Sequence, residues 1–348
     1  MSKPFKVGFI GTGSIALKHM EYLLKVPGAQ IVCASDVNAK SLEYAKHLHK
    51  IPHVYADYQE MLARHPEVEA IDICTPNRQH APCSIAALEA GKHVMVEKPM
   101  AMNAAEAQQM VDVARRVGKQ LIIGFQFRFD PRTQVIRDQI DRGAFGKILY
   151  VRAQWLRRRG IPNWGAFGRK DQSGGGPMID IGVHVLETAH SLIGAPKPVS
   201  VTGNTWTFMG NKPSDVASQW PGWDHATYDV EDLAVGMVRF ATGTMLTVEV
   251  SFVTHIERDI WNIQVMGENG GATWEPVQVF ADQNGYMMNM TPVFVPPVDV
   301  WDYKMKHFVE VCRDGRANEA PGEHGLMIQK ILDGVYASAA QGREIVLD

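Results

Sequence analysis

Residues 5–24, FKVGFIGTGSIALKHMEYLL, pass from an apolar run through glycines into a segment whose apolar residues recur at helical spacing. Gly11, Gly13 and Ala16 occupy the G-x-G-x-x-G/A positions. The first glycine permits a tight turn, the second lets the backbone approach a pyrophosphate, and the small third residue lets the helix lie close on the strand. The helix N-terminus then turns unpaired N–H groups toward the phosphates. On this reading Gly11, Thr12, Gly13, Ser14 and Ile15 form a dinucleotide-binding loop. Glycine-rich turns also serve packing alone, so the neighbouring sequence has to decide.

It does so at AQIVCASD, residues 29–36, a second apolar strand ending in Asp36. An acidic residue there accepts hydrogen bonds from an adenosine ribose and repels a 2′-phosphate, which favours NAD over NADP. The competing use of Asp36 is as the N-cap of the helix NAKSLEYAKHLH. Strand and helix signals then alternate through HVYA, DYQEMLARH, VEAIDICT, APCSIAALEAG, KHVMVE, NAAEAQQMVDVARRVG and QLIIGFQ. Strands separated by helices predict a parallel, doubly wound sheet with its ligand at the carboxyl ends of the strands. Thr75, Pro76, Asn77 and His80 follow one such end, and Glu97, Lys98 and Pro99 another. Gln126 and Arg128 come just after the last strand, near the expected nicotinamide. Lys98 is the sharpest of these, since VMVEKPM sets it directly after a buried strand, with a proline behind it that can hold a cis peptide.

Past GFQFRFDP the pattern changes. A helix at TQVIRDQIDRGAFG leads to strand candidates at KILYVRAQWLRRRG, VSVTGNTWTFM, EDLAVGMVRFA, TMLTVEVSFV, DIWNIQVMG and ATWEPVQVFA, with hairpin signals at ATG and GENGG. These predict a large antiparallel sheet. Helices at VWDYKMKHFVEVCRDG and EHGLMIQKILDGVYASAAQG close the chain and are expected to pack back on the body. The expected division is a Rossmann domain over residues 1–125 and a substrate and oligomerisation domain over 126–348, as suits 348 residues.

Within the second half, GGGPMIDIGVH (174–184) places Asp180 and His184 four residues apart, on one face of a helix. Oxidation of a secondary alcohol needs a base for the hydroxyl proton as hydride leaves carbon. His184 suits that role, Asp180 can fix its tautomer, and Lys98 can stabilise charge on the oxygen and touch the cofactor ribose. A D-x-x-x-H pair could otherwise be a helix-surface hydrogen bond, or supply two metal ligands, but no H-E-x-x-H motif or cysteine cluster completes a metal site. The loop RRRGIPNWGAFGRKDQSGGG leads straight into this helix. Arg157 is a candidate donor to substrate oxygens there, and Trp164 a candidate stacking surface.

Bulk properties narrow the partners. A net charge of −3 provides no cationic field for nucleic acid or anionic lipid, and no apolar run reaches membrane-spanning length. The chain enters a strand almost at once, without a secretory signal, and Cys33, Cys74, Cys83 and Cys312 lack CxxC spacing, as expected of a cytoplasmic protein with reduced thiols.

The segments GTGSIALKH, CTPNRQH, VEKPM, GFQFRF and GGGPMIDIGVH, in this order, resemble the Gfo/Idh/MocA family, named for glucose-fructose oxidoreductase, inositol dehydrogenase and a rhizopine-catabolism protein. The resemblance implies a Rossmann domain followed by a domain with a large, mostly antiparallel sheet, often paired between subunits, hence a homodimer or homotetramer. It also puts the family's E-K-P lysine on Lys98 and its D-x-x-x-H pair on Asp180 and His184. The expected activity is NAD-dependent oxidation of a secondary hydroxyl on a cyclic polyol or sugar, inositol or a glucoside among them. The rival is a nucleotide-binding sensor without catalysis, for which loss of these three residues would be expected.

Overall fold

The computed structural model describes residues 4–347. Met1–Lys3 and Asp348, the outer ends of the two expected domains, lie outside the described residues. The chain divides into two compact units. One comprises the described residues up to Gln126 together with Val298–Leu326, and the other comprises Phe127–Pro297 together with the residues from Met327 onward.

In the first unit, strands and helices alternate as β1 (Phe5–Ile10), α1 (Ser14–Leu23), β2 (Ala29–Ser35), α2 (Ala39–His49), β3 (His53–Tyr55), α3 (Tyr58–Arg64), β4 (Ala70–Ile73), α4 (His80–Glu89), β5 (His93–Val96), α5 (Ala104–Val117) and β6 (Leu121–Ile123). The strands form one sheet in the order β3-β2-β1-β4-β5-β6, with every pair parallel. This is the doubly wound arrangement, and the order reverses between β1 and β4. The near-continuous apolar character of β1, β4 and β5 follows from burial on both faces: Val7, Phe9, Ile73, Val94 and Val96 are inaccessible to solvent. The helices start where short polar side chains accept the first free N–H groups. Asn38 caps α2, Asp57 caps α3 and Asn103 caps α5. Asn38, not Asp36, thus performs the capping of this helix.

The second unit begins with α6 (Pro131–Asp141), β7 (Ile148–Leu156) and α7 (Lys170–Ser173). A π-helical turn (Met178–Gly182) then runs directly into α8 (Val183–Leu192), all of whose residues are buried. Strands β8 (Pro198–Trp206), β9 (Leu233–Phe240), β10 (Met245–Ser251), β11 (Ile260–Gly267), β12 (Gly270–Trp274), β13 (Val277–Gln283) and β14 (Tyr286–Met290) follow. After α9 (Val300–Asp314) and α10 (Gly322–Gln341), β15 (Ile345–Val346) adds a short edge. The nine-stranded sheet has the order β14-β13-β12-β11-β7-β10-β9-β8-β15 and is antiparallel except between β7 and β10. Two doubly characterised layers, a parallel Rossmann sheet and a mostly antiparallel one, are therefore present as expected.

Two expectations need correction. ATWEPVQVFA is two antiparallel strands, β12 and β13, with Thr273 facing Gln278. Pro276 lies in the turn between them, where its missing N–H costs no ladder bond. The residues after 297 are also not all part of the second unit. Met305, Phe308, Val309 and Val311 of α9 are buried, and Phe308 meets Phe5 edge-on at 6.5 Å. Tyr22 of α1 donates to Asp299 at 2.6 Å. Periodicity showed that α9 has an apolar face, but a linear pattern does not say which surface that face will cover.

Candidate active site

The glycine loop joins β1 to α1. Gly11 has φ +92°, and a Cβ there would lie 2.5 Å from the Cys74 carbonyl oxygen, so both conformation and close approach demand glycine. At Gly13 a Cβ would meet nothing within 4 Å, and α1 starts there with no side-chain cap. Open space beside uncapped helix N–H groups fits a pyrophosphate. Asp36 is anchored beside this loop, accepting from the Thr12 N–H at 2.7 Å, the Thr12 hydroxyl at 2.9 Å and the Asn38 N–H at 2.8 Å. Ser41 donates to the Thr12 carbonyl at 2.8 Å, so the loop is held from both sides. Thr75 Oγ1 and Gln126 Oε1 are buried without a protein hydrogen-bond partner among the described residues. Orphaned polar atoms at two further strand ends suit a unit completed by a polar ligand. The glycine loop, Asp36, Thr75 and Gln126 thus have the space and polar atoms that the dinucleotide expected from the sequence would need, and Pro76 and Asn77 follow Thr75 directly in the chain.

His80 and Glu97 have protein partners. His80 is buried, with Nδ1 2.6 Å from the Pro99 carbonyl oxygen and Nε2 2.9 Å from that of Thr75. It clasps the loop after β4 to the turn after β5, and burial lowers its pKa although both carbonyls favour the cation. Glu97 turns into the protein, where it pairs with the Lys304 ammonium and lies 3.4 Å from His19 Nε2. His19 Nδ1 in turn lies 2.8 Å from Asp72. Burial works against the Glu97 carboxylate, yet Lys304 and His19 hold its pKa well below the usual range. Burial and Lys304 depress His19, and Asp72 and Glu97 outweigh them, leaving its pKa raised. His19, Asp72 and Cys74 bring potential ligand atoms within 4.8 Å of one another, but this hydrogen-bonded, Lys304-neutralised network already employs them. Lys98, next in the chain, is half-buried, and the Lys98–Pro99 peptide is cis.

In the second unit Asp180 sits on the π-helical turn and His184 in the first turn of α8. The sequence predicts an unbroken α-helix here. The wider turn follows Pro177, which has no N–H, and such turns recur at functional positions. Two of the three glycines that precede it are there for a packing reason. A Cβ on Gly175 would lie 2.1 Å from the Tyr336 hydroxyl, and one on Gly176 would lie 2.1 Å from the Glu231 carbonyl. Close approach lets the buried Glu231 carboxylate accept from the Gly176 N–H at 2.9 Å, the Met178 N–H at 3.1 Å and the Tyr336 hydroxyl at 2.8 Å. A carboxylate at the start of this turn also complements the helix dipole. Burial nevertheless raises the Glu231 pKa, and burial with Glu231 beside it raises that of Tyr336.

Aromatic rings wall the histidine. The Phe127 ring meets His184 edge-on at 5.0 Å, Trp155 lies 5.9 Å from it, and Trp261 stacks on Trp155 at 4.5 Å. Arg157 is near enough to Asp180 for that carboxylate to support its charge, against the opposing and larger effect of burial. Arg128 is not available in the same way: its Nε donates to buried Glu187 at 2.6 Å, and both side chains are almost fully enclosed. That ion pair gives Arg128 a structural task. Trp164 is half exposed, with its ring 4.7 Å from Trp220. The sequence singled out Arg157 and Trp164 but missed Glu231, Tyr336, Trp155, Trp220 and Lys304. Apart from Trp155, two residues before Arg157, each lies far along the chain from the motif it serves, and no local spacing marks it.

Comparison with known proteins agrees along the chain. Residues 5–125 match the profile described as oxidoreductase family, NAD-binding Rossmann fold, and residues 133–273 match the GFO/IDH/MocA C-terminal domain. D-glucoside 3-dehydrogenase of Escherichia coli (strain K12) is 36% identical over 349 aligned positions, covering 99% of this chain and 98% of that protein. Levoglucosan dehydrogenase of Pseudarthrobacter phenanthrenivorans is 31% identical over 215 positions, covering 59% of this chain and 55% of that one. In fold, the structure resembles a levoglucosan dehydrogenase in complex with NADH, with a TM-score of 0.86 at 23% identity and coverage of 99% and 100% of the two chains.

Proposed function

The chain belongs to the GFO/IDH/MocA oxidoreductase family, and on that premise we propose that it oxidises a secondary hydroxyl of a cyclic sugar, a glucoside in the first place, with NAD as acceptor. The observation that carries the reading is the second unit's Asp180, on a turn whose entry is held by Glu231, and His184, in the helix that continues it and walled by aromatic rings, in a chain whose first unit offers an uncapped helix N-terminus and an anchored ribose-side carboxylate. NAD, held by the Gly11–Ile15 turn and Asp36, would supply the acceptor for the hydride that leaves the carbinol carbon. His184 accepts the hydroxyl proton on its ring, and Asp180 keeps that ring oriented. Lys98 supplies positive charge to the oxygen as the carbonyl forms. The alcohol thus loses one hydride and one proton and becomes a ketone. Phe127 and Trp155 keep bulk water from the imidazole, which strengthens these charge interactions.

Two further features support finer statements. Among the described residues all four cysteines are free, and burial pushes the Cys33 and Cys83 thiols up to about 12, which suits a reducing, cytoplasmic setting. No described helix is long and apolar enough to cross a membrane. Met287, Val293 and Phe294, on and just beyond the edge strand β14, are exposed, as are Met237 and Met266 of the nine-stranded sheet. This exposed apolar surface supports the reading that a second copy covers it, in a homodimer or homotetramer.

The test incubates the protein with NAD and a panel of glucosides, monosaccharides and inositols while absorbance of NADH is followed. Turnover is expected with glucosides. His184→Ala should lower kcat by about 10²–10⁴-fold with NAD affinity nearly unchanged. Binding of NAD without turnover of any panel member would favour the sensor reading, and equal turnover by the variant would remove the base assignment.

A further inference from the structure

We propose that two loops of the second unit, 157–169 and 207–231, build a subsite for a second ring carried by the glycoside, so that the preferred substrate is a two-ring glycoside rather than a free monosaccharide. The proposal rests on the sugar-oxidising reading above. It begins from a line of contacts leading away from the histidine. The Trp155 ring lies 5.9 Å from that of His184, and the Arg157 guanidinium lies 5.8 Å from the Trp155 ring and 5.1 Å from the Trp220 ring. Trp220 then meets Trp164 edge-on at 4.7 Å. Arg157 uses Nη1 on the Gly160 carbonyl at 3.0 Å, and a guanidinium has five N–H donors.

The Trp164 and Trp220 rings are on irregular chain, but the chain is tied down. Asp232, fully buried, accepts from the N–H groups of Phe208 at 3.0 Å, Met209 at 2.7 Å and Gly210 at 2.7 Å, which fixes the start of the second loop. Trp223 is buried and donates from Nε1 to the Gly210 carbonyl at 2.7 Å. The loops are joined to each other by Asn163 Nδ2 donating to the Pro221 carbonyl at 2.8 Å and by the Asp229 N–H donating to the Gly168 carbonyl at 3.1 Å. Lys170 N–H completes the tie, donating to the Asp229 carboxylate at 2.7 Å.

A fixed loop pair that leaves Trp164 50% exposed presents apolar ring surface to water at a free-energy cost. The C–H face of a pyranose, or an aryl ring, removes that surface from water by stacking. The Arg157 fork can donate to hydroxyls or to the bridging oxygen. A small cavity beside Trp164, lined by Asn163, Arg169, Asp224 and Thr227, has the polar groups that a hydroxyl-rich ring needs. Arg169 and Asp224 are of opposite charge, so the lining suits a neutral ring.

The experiment compares wild type, Trp220→Ala and Trp220→Phe on D-glucose, cellobiose and phenyl β-D-glucopyranoside. Each is measured as NADH formation and, by calorimetry, as binding to the NADH-loaded enzyme. Wild type should prefer the two-ring compounds, and Trp220→Ala should reduce the two-ring to one-ring ratio of kcat/KM about tenfold, through KM, with Trp220→Phe recovering most of it. A selective loss for cellobiose identifies the occupant as a sugar, and a selective loss for the phenyl glucoside identifies it as an aryl group. A wild-type ratio near one, or a Trp220→Ala variant that loses all substrates equally, overturns the subsite. If no sugar is oxidised although NADH binds, the oxidation reading fails, and the binding ratios still decide the subsite.

Discussion

Glu231→Ala tests whether the turn bearing Asp180 and His184 depends on a carboxylate from a distant part of the sequence. The substitution leaves three donors, the N–H groups of Gly176 and Met178 and the Tyr336 hydroxyl, without their buried acceptor. Each stranded group costs roughly 1–3 kcal/mol, and part of the sum is offset because a buried, unfavourably placed carboxylate is also removed. The expected net loss is about 3–5 kcal/mol, a large share of a typical domain's stability. Glu231→Gln keeps one carbonyl acceptor and should lose about 1 kcal/mol. Urea unfolding, read as a lower midpoint at unchanged slope, measures both. Kinetics should show kcat falling in Glu231→Ala, with NAD affinity little changed.

The pH dependence adds an independent sign. Burial raises the Glu231 pKa in the folded protein, so between the ordinary glutamate value and the raised one the folded state keeps a proton that the unfolded chain has released. Its contribution therefore declines as pH rises through that window. Glutamine does not titrate, so the deficit of Glu231→Gln relative to wild type should be largest in acid and shrink toward neutral pH. A Glu231→Ala variant within about 0.5 kcal/mol of wild type at neutral pH, a typical surface-mutation effect, would refute the capping argument. So would unchanged kcat in a clearly destabilised protein.

Asp36→Ala removes the partner of the Thr12 N–H and hydroxyl along with the carboxylate on the ribose side. NADH affinity, read by nicotinamide fluorescence, should fall about tenfold while discrimination against NADPH narrows, and unchanged affinity for both would rule out the ribose role. Sedimentation at micromolar concentration should show a dimer or tetramer if a second copy covers the apolar surface around β14. Monomers alone would leave Met287, Val293 and Phe294 in water and exclude that assembly.

The parallel sheet was legible because, apart from the short β3, its strands are apolar runs closed by turns and alternate with periodic helices within a few dozen residues. The glycine loop and Asp36 were legible for the same reason: the turn, the open space at Gly13 and the strand end are local in the chain. The antiparallel sheet was readable from alternation, but the break at Pro276 and the edge strands β14 and β15 were not, since short edges carry little pattern. His80 and Glu97 occupy strand ends like their neighbours, and only side-chain direction separates a ligand-facing residue from one that clasps a carbonyl or pairs with Lys304.

What the sequence determined by itself was therefore the set of local elements, the nucleotide-binding turn and the residue types able to carry out alcohol oxidation. The tertiary structure alone decided which unit α9 would cover, that Glu231 and Tyr336 would hold the turn before Asp180, and that Arg128 would be committed to Glu187. The division has a physical cause. Backbone preference and hydrophobic period act between neighbours in the chain, whereas the partner of a buried polar group is whichever complementary atom the packed fold brings within about 3 Å, at any separation in sequence.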